Sequence, residues 1–197
     1  MTTDELDQLL LDRFNLHRSD LIAALKTLPA HRPWAATLTA DEAQLLDDVG
    51  FTEDPEAYAE IAADVTAHMA RLYSTAYTAA EVREGLSVND SRVRQRRLNH
   101  TLWAINDGGT WVYPAIQFEI VDRDKPLKLK QVRGLDEVLP ALLARELHPT
   151  AVAGLLMTPQ PDLRIDGQPK SVREWLLHGE SVEPVLGLIE IGEWAAT

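Results

Sequence analysis

The chain has 197 residues, of which 45% are hydrophobic and 25% are charged, a composition typical of a globular protein with one or two domains. It has no cysteine, which excludes disulfides and thiolate catalysis, and its net charge of −12 opposes nucleic-acid binding unless the basic residues are concentrated. No apolar run approaches the ~18 residues of a membrane span. The N-terminus is acidic where a signal peptide would be basic, so we expect a cytoplasmic protein without membrane contact.

Residues 1–77 are predicted to be helical. Apolar residues recur at helical spacing over Asp4–Leu16, Leu21–Leu28 and Pro55–Tyr77. The segment Thr39–Gly50 begins with a capping box and ends in glycine, which predicts a further short helix. Each helix has an apolar stripe, and we expect this region to form a homodimer through those stripes.

The next segment has the pattern of two short helices joined by a tight turn. Thr78 and Glu81 have the spacing of a capping box, and Asn89 is a suitable N-cap for the second helix. That helix, Asp90–Asn99, has four arginines, and Val93 is its one firmly inward apolar residue. Its outward serine, arginine and glutamine side chains are suited to phosphates and base edges, so the segment predicts a DNA-binding helix-turn-helix.

The predicted DNA-contacting residues share the outward face of this second helix and are Ser91, Arg92, Arg94, Gln95 and Arg96. At about 100° per residue, Ser91 and Gln95 lie almost opposite Val93. Arg97 lies close to Val93 and is expected to pack or to contact phosphate. The alternative is an ordinary α+β core in which the arginines form a solvated face.

A β-hairpin is predicted directly after the two helices. Leu102–Ile105 and Thr110–Tyr113 are short β-branched and aromatic runs that flank Asn106–Gly109, whose residues tolerate a positive φ. Pro114 ends the second strand because it has no N–H to donate. Residues 78–120 are therefore predicted to form a winged helix-turn-helix, which resembles that of excisionases. The hairpin tip would touch phosphate or the minor groove, and three aromatic residues would be structural: Trp103, Trp111 and Tyr113.

The distribution of charge supports this interpretation. Residues 1–77 have a net charge of −9, residues 83–133 of +4, and residues 134–197 of −6. The positive charge is therefore concentrated on the predicted DNA-binding segment. The acidic flanks should weaken non-specific DNA binding, whose strength scales with the phosphates neutralised.

The last part of the chain is predicted to be helical again. Residues 121–128 are charged and contain proline, which predicts a linker, and residues 134–197 follow as a helical domain. Its predicted elements are a helix over 134–148, a helix opened by Pro149, an extended piece over 162–165, the turn Asp166–Gly167, a helix with a Ser171–Glu174 capping box ending at Gly179, and a last helix capped by Ser181.

This part resembles the toxin-binding domain of antitoxins of the MbcA/ParS/Xre type. The matching residues are Ala151, Leu156, Pro159, Leu163, Gly167, Ser171, Trp175, Leu176, Leu177, Gly179, Val185, Leu188 and Ile189. The resemblance implies a cognate toxin as partner, and it favours a RES-type toxin that attacks NAD. A PIN-type ribonuclease would fit the residues almost as well.

The stretch 149–197 has more aromatic and aliphatic surface than a fold of its size can bury, which predicts that it holds the toxin. Acidic residues at the end of the chain could plug a basic pocket of the toxin. The predicted toxin-binding residues are Trp175, Glu190, Glu193 and Trp194. The alternative is that both tryptophans belong to the core and that the acidic tail is solvated.

An enzyme is not expected, because the sequence has no metalloprotease, phosphate-loop or serine-hydrolase motif and its histidines lack metal-ligand spacing. No cofactor or metal is expected. The leading hypothesis is a mainly α protein with a small β-hairpin wing that acts as a DNA-binding antitoxin, binds double-stranded operator DNA, represses its own operon and neutralises a toxin. The alternatives are a stand-alone helix-turn-helix regulator and a protein-only adaptor.

Overall fold

A computed structural model describes residues 3–27, 39, 44–45, 48, 55–122 and 127–192. The chain divides into two compact units, Met1–Ser74 and Thr75–Thr197. The described part is mainly helical with small antiparallel sheets, in agreement with the predicted mainly α class. Within this part, no helix has both the length and the apolarity needed to cross a membrane.

The first unit contains the helices α1 (Thr3–Phe14), α2 (Arg18–Thr27) and α3 (Pro55–Thr75). All three were predicted, with ends that differ by a few residues. The largest shift is at the start of α2, which begins at Arg18 rather than Leu21. Helix α3 ends at Thr75 rather than Tyr77, because Tyr77 pairs with Tyr113 in an antiparallel sheet of the second unit. The predicted short helix over Thr39–Gly50 lies mostly outside the described residues.

The second unit begins with strand β1 (Tyr77–Thr78) and the helices α4 (Ala79–Gly85) and α5 (Asp90–Leu98). The predicted capping box of α4 is present: the Glu81 backbone N–H donates to the Thr78 hydroxyl at 3.2 Å, and the Thr78 N–H donates to the Glu81 carboxylate at 2.8 Å. The N-cap of α5 is also present, since the Arg92 N–H donates to the Asn89 side chain at 2.8 Å. Both helices therefore start where their capping residues predict.

The predicted hairpin consists of β2 (Ile105–Asp107) and β3 (Thr110–Tyr113), and β1 adds to β3 to give the antiparallel order β1-β3-β2. Gly108 and Gly109 form the two-residue turn with φ of +57° and +100°, as a type I′ turn requires. The prediction that the first strand begins at Leu102 was wrong. The Trp103 backbone bonds to a glutamine side chain instead of a neighbouring strand, so pairing starts only at Ile105.

The prediction of a linker over residues 121–128 was also wrong. This segment lies within a second antiparallel hairpin, formed by β4 (Phe118–Asp122) and β5 (Lys128–Gln131), whose residues 123–126 lie outside the described part. Leu129 is buried among the core residues of α4 and α5, and its burial contributes to holding the charged strand against these helices. Charged residues occupy the outward positions on either side of it.

The remaining elements are α6 (Leu135–Leu143), α7 (Pro149–Met157), β6 (Gln160–Ile165), β7 (Gln168–Lys170), α8 (Val172–His178) and α9 (Glu183–Ile191). The predicted capping box of α8 is present, and Gly179 ends that helix with φ +94°. Helix α6 is shorter than predicted and stops at Leu143. Helix α9 starts after Val182 rather than Ser181, whose hydroxyl is 3.4 Å from the Glu183 nitrogen.

Two sets of buried side chains fill the second unit. One lies beneath α4, α5 and the two hairpins and contains Val82, Val93, Leu102, Tyr113, Phe118 and Leu129. Further buried side chains lie on α6, α7, β6, α8 and α9 and include Leu135, Leu139, Leu156, Leu163, Leu176 and Ile189. Residues 78–120 and 134–197, predicted as two domains, both lie in the unit Thr75–Thr197.

Candidate nucleic-acid interface

Helix α5 has one buried and one exposed face. Val93 is 2% exposed and packs in the core beneath the helix, as its position in the sequence predicts. Ser91, Arg92 and Gln95 are exposed on the outer side of the helix. The position of Val93 in the sequence is therefore sufficient to predict the rotation of this helix about its axis, because only one rotation buries the Val93 side chain.

The turn before α5 and the outer face of the helix together form an open groove of about 550 Å³. Its lining combines three turn residues with three residues of the first two helical turns: Ser87, Val88, Asn89, Ser91, Arg92 and Gln95. Ser87 adopts a positive φ of +53°, which turns the chain sharply into the N-cap of α5. The structure therefore brings three of the five predicted contact residues together in a single concave surface.

The other two predicted contact residues, Arg94 and Arg96, do not line the groove. Arg94 is exposed on the flank of α5 away from Arg92. Arg96 is half-buried, and its guanidinium donates to the side-chain oxygen of Gln131 in β5. Burial lowers the pKa of Arg96, and the nearby charge of Arg92 lowers it further, although the charge of Asp136 opposes this shift.

Arg96, which the sequence predicted to contact DNA, thus joins α5 to the second hairpin through Gln131. Gln131 also bonds the segment that follows α5, because its side-chain amide nitrogen donates to the Thr101 carbonyl oxygen at 2.7 Å. The Arg96 carbonyl oxygen in turn accepts from the Thr101 and Leu102 backbone nitrogens at 2.9 and 3.1 Å. Helical position alone placed Arg96 near the outer face, but a partner 35 residues away determines its conformation.

Two further arginines have local partners. Arg97 stacks on Trp111 of the hairpin, with its guanidinium carbon 3.8 Å from the ring centroid, so the expected packing role fits the structure. Arg83 in α4 lies 2.9 Å from Glu84 and 3.5 Å from Asp90, and these carboxylates raise its pKa. The positive charge of Arg83 is thereby balanced next to the start of α5.

The aromatic residues of the hairpin segment differ in burial from the residues at its tip. Trp103 and Tyr113 are almost fully buried, and burial raises the pKa of the Tyr113 hydroxyl. The tip residues Asn106, Gly108 and Gly109 are exposed, and the Gly109 N–H donates to the Asn106 side chain at 2.8 Å. Trp111, the third aromatic residue predicted to be structural, is half-buried, and the tip is accessible.

Gln117 is a buried polar residue that sequence reasoning missed. Its side chain is fully buried and bonds both backbone groups of Trp103, accepting from the nitrogen at 2.9 Å and donating to the oxygen at 2.7 Å. It also donates to the Pro114 carbonyl oxygen at 3.1 Å. A lone glutamine in an apolar stretch was the only available signal. Its role follows from the need to satisfy a buried backbone segment that has no strand partner.

The predicted toxin-binding residues fall at the C-terminal end of the second unit. Trp175 is half-buried, and its ring N–H donates to the Ser181 carbonyl oxygen at 2.8 Å, which ties α8 to the approach to α9. Glu190 is exposed on α9. Glu193 and Trp194 lie outside the described residues.

Among the residues that the structure describes, no group of three or more histidines and acidic residues is arranged to hold a metal ion. Comparisons of the chain with protein-family models, with curated proteins and with solved structures found no match.

Proposed function

We propose that this protein binds double-stranded DNA through α5, which acts as the recognition helix of a winged helix-turn-helix over residues 78–120. The observation that carries the proposal is the groove in which Ser91, Arg92 and Gln95 converge on the exposed side of a helix anchored by Val93. Arginine and glutamine can form paired hydrogen bonds with guanine and adenine edges in the major groove. Recognition helices place such contacts on their first two turns.

The charges around the groove support the same proposal. Arg92 and Arg94 are exposed, and neither makes an ion pair with any residue in the described part of the chain. Both charges are therefore available to phosphates. The balanced Arg83 and the half-buried Arg96 contribute less, so the interface relies on a few arginines and on the shape of the groove. We expect a modest salt dependence, because the slope scales with the number of phosphates neutralised.

The β2–β3 hairpin is the wing in this proposal. Its exposed tip, Asn106–Gly109, would contact the backbone or the minor groove while the aromatic residues support it from below. The stacking of Arg97 on Trp111 supports this role, since it joins the recognition helix to the wing. Two copies would bind half-sites about one helical turn apart. The apolar residues exposed on α1 and α2 would form the homodimer, Phe14 being 69% exposed.

We further propose that the protein is the antitoxin of a toxin-antitoxin pair. This part rests on the resemblance of residues 134–197 to the toxin-binding domain of antitoxins of the MbcA/ParS/Xre type. Leu177 and Ile191 add support, as they are 39% and 65% exposed on α8 and α9, where an apolar partner surface could cover them. The cognate toxin would be a RES-type NAD-degrading protein, with a PIN-type ribonuclease as the second choice. Repression of its own operon would follow from DNA binding.

The DNA proposal is tested by selecting duplexes from a random library and titrating the enriched sequence at fixed salt. We expect Arg92→Ala and Gln95→Ala to bind it about 5- to 150-fold more weakly, which corresponds to about 1–3 kcal/mol for a base contact. Arg164→Ala is the matched control, because it removes an exposed arginine from β6, outside the groove. Equal loss in all three variants would contradict the assignment.

The antitoxin proposal is tested by co-expressing the tagged chain with the proteins encoded beside it and identifying by mass spectrometry what co-purifies. A toxin held at 1:1 or 2:1 stoichiometry and released by changes at Trp175 would support it. DNA binding without any such partner would leave a stand-alone regulator. A protein partner without DNA binding would favour the adaptor.

A further inference from the structure

A side chain of helix α8, Arg173, forms hydrogen bonds with the backbone of the proposed DNA-binding segment. Arg173 is half-buried, and its Nε donates to the Ile116 carbonyl oxygen at 2.9 Å. One of its terminal nitrogens donates to the Phe118 carbonyl oxygen at 3.2 Å. The guanidinium thus bridges the two carbonyls on either side of Gln117, 55 to 57 residues away in sequence.

Gln117, which lies between Ile116 and Phe118, holds the segment that follows α5. Gln117 holds both backbone groups of Trp103, and Trp103 lies in the connection between the end of α5 and the start of β2. The start of the same connection is held at the end of α5, because the Thr101 and Leu102 backbone N–H groups donate to the Arg96 carbonyl oxygen. The chain of contacts therefore runs from Arg173 through the 3-10 turn Ala115–Gln117 to the segment that joins recognition helix and wing.

We propose that Arg173 is a positioning residue for DNA recognition: by fixing the backbone around Gln117, it sets the orientation of α5 relative to the β2–β3 hairpin. Charge-assisted hydrogen bonds are stronger than neutral ones, and a planar guanidinium can hold two acceptors at once in a fixed geometry. Base contacts tolerate displacements of about 1 Å poorly, so rigid support behind the contacting residues is required. The proposal rests on the proposed DNA-binding function.

Three variants test the proposal, each in the full chain. Arg173→Ala removes both hydrogen bonds. Arg173→Lys keeps the charge but cannot span two carbonyls in the same way. Arg164→Ala is the control, since it removes an exposed arginine of the same region whose Nε donates to the nearby Pro161 carbonyl oxygen at 2.8 Å. Circular dichroism at the assay temperature establishes that each variant is folded, and Arg173→Lys carries the test if Arg173→Ala does not fold.

The first readout is amide hydrogen exchange, which does not depend on DNA. We expect the Trp103 amide to exchange about tenfold faster in Arg173→Ala, equivalent to about 1.4 kcal/mol, and to remain unchanged in Arg164→Ala. The second readout is affinity for the selected duplex relative to a scrambled duplex. That ratio should fall about tenfold in Arg173→Ala and less in Arg173→Lys, because base contacts need the orientation while phosphate contacts do not.

Each result decides a separate point. Unchanged exchange at Trp103 would overturn the proposal whatever the DNA result. Faster exchange with an unchanged affinity ratio would overturn the positioning role. If the parent protein enriches no duplex at all, the proposed function fails, whereas the exchange measurement still shows whether Arg173 holds the connection to the wing.

Discussion

Replacing Gln117 with leucine removes a fully buried polar group from residues 78–120 while keeping a side chain of similar size. The change leaves the Trp103 N–H and the carbonyl oxygens of Trp103 and Pro114 without their side-chain partner in a buried site. The Pro114 oxygen still accepts from the Gln117 backbone N–H at 3.4 Å, so two groups are left without a partner. At about 2 kcal/mol for each of these two groups, the losses sum to roughly 4 kcal/mol. The more apolar leucine returns about 1–2 kcal/mol, so the net loss of unfolding free energy should be about 2–3 kcal/mol.

Urea denaturation followed by tryptophan fluorescence measures this loss. A Trp34→Phe background confines every tryptophan to residues 75–197 and therefore reports on the second unit alone. We expect the midpoint of Gln117→Leu to fall by about 1–2 M urea. Gln168→Leu is the matched control, because Gln168 is exposed in β7 and should change the midpoint little. A Gln117→Leu protein as stable as its parent would refute the structural role of this glutamine.

Three further changes have defined outcomes. Gly85→Ala would place a Cβ 2.6 Å from a side-chain carbon of Leu129. Thermal unfolding should therefore show a free energy of unfolding that is lower by about 1–3 kcal/mol. An unchanged free energy would mean that β5 can move away freely. Arg97→Ala removes the stacking on Trp111 and should cost about 0.5–1 kcal/mol in urea titrations, more than the exposed Arg94→Ala. Hydrogen bonds in the α8 capping box lower the pKa of Glu174, so the stabilisation from its carboxylate is present above pH 4.5 and is lost as the pH falls through the lower folded pKa. Glu174→Gln should therefore weaken the dependence of the unfolding free energy on pH in this acidic range. An unchanged pH dependence would contradict the role of Glu174.

Features determined by nearby residues were predictable from the sequence. The capping boxes at Thr78 and Ser171 and the N-cap at Asn89 depend on spacings of three residues, and each is present in the structure. The Gly108–Gly109 turn also follows from its own residues, because few other residues adopt a positive φ at two successive positions.

Features determined by distant partners were not predictable. Residues 121–128 have the composition of a linker, yet burial of Leu129 beside α4 draws the segment into a hairpin. Arg96 lies near the outer face by helical position, but Gln131 holds its side chain. Arg173 gave no signal at all, since its acceptors are backbone carbonyls more than 50 residues away.

We propose that Gln95 and its neighbours on α5 read bases in duplex DNA. The most direct test is to repeat the duplex selection with Gln95→Ala and compare its enriched sequence with that of the parent. We predict the same site with one base position no longer specified, because removal of a single base contact relaxes recognition only at that position. An identical site for both proteins, or no enrichment by the parent, would contradict the claim.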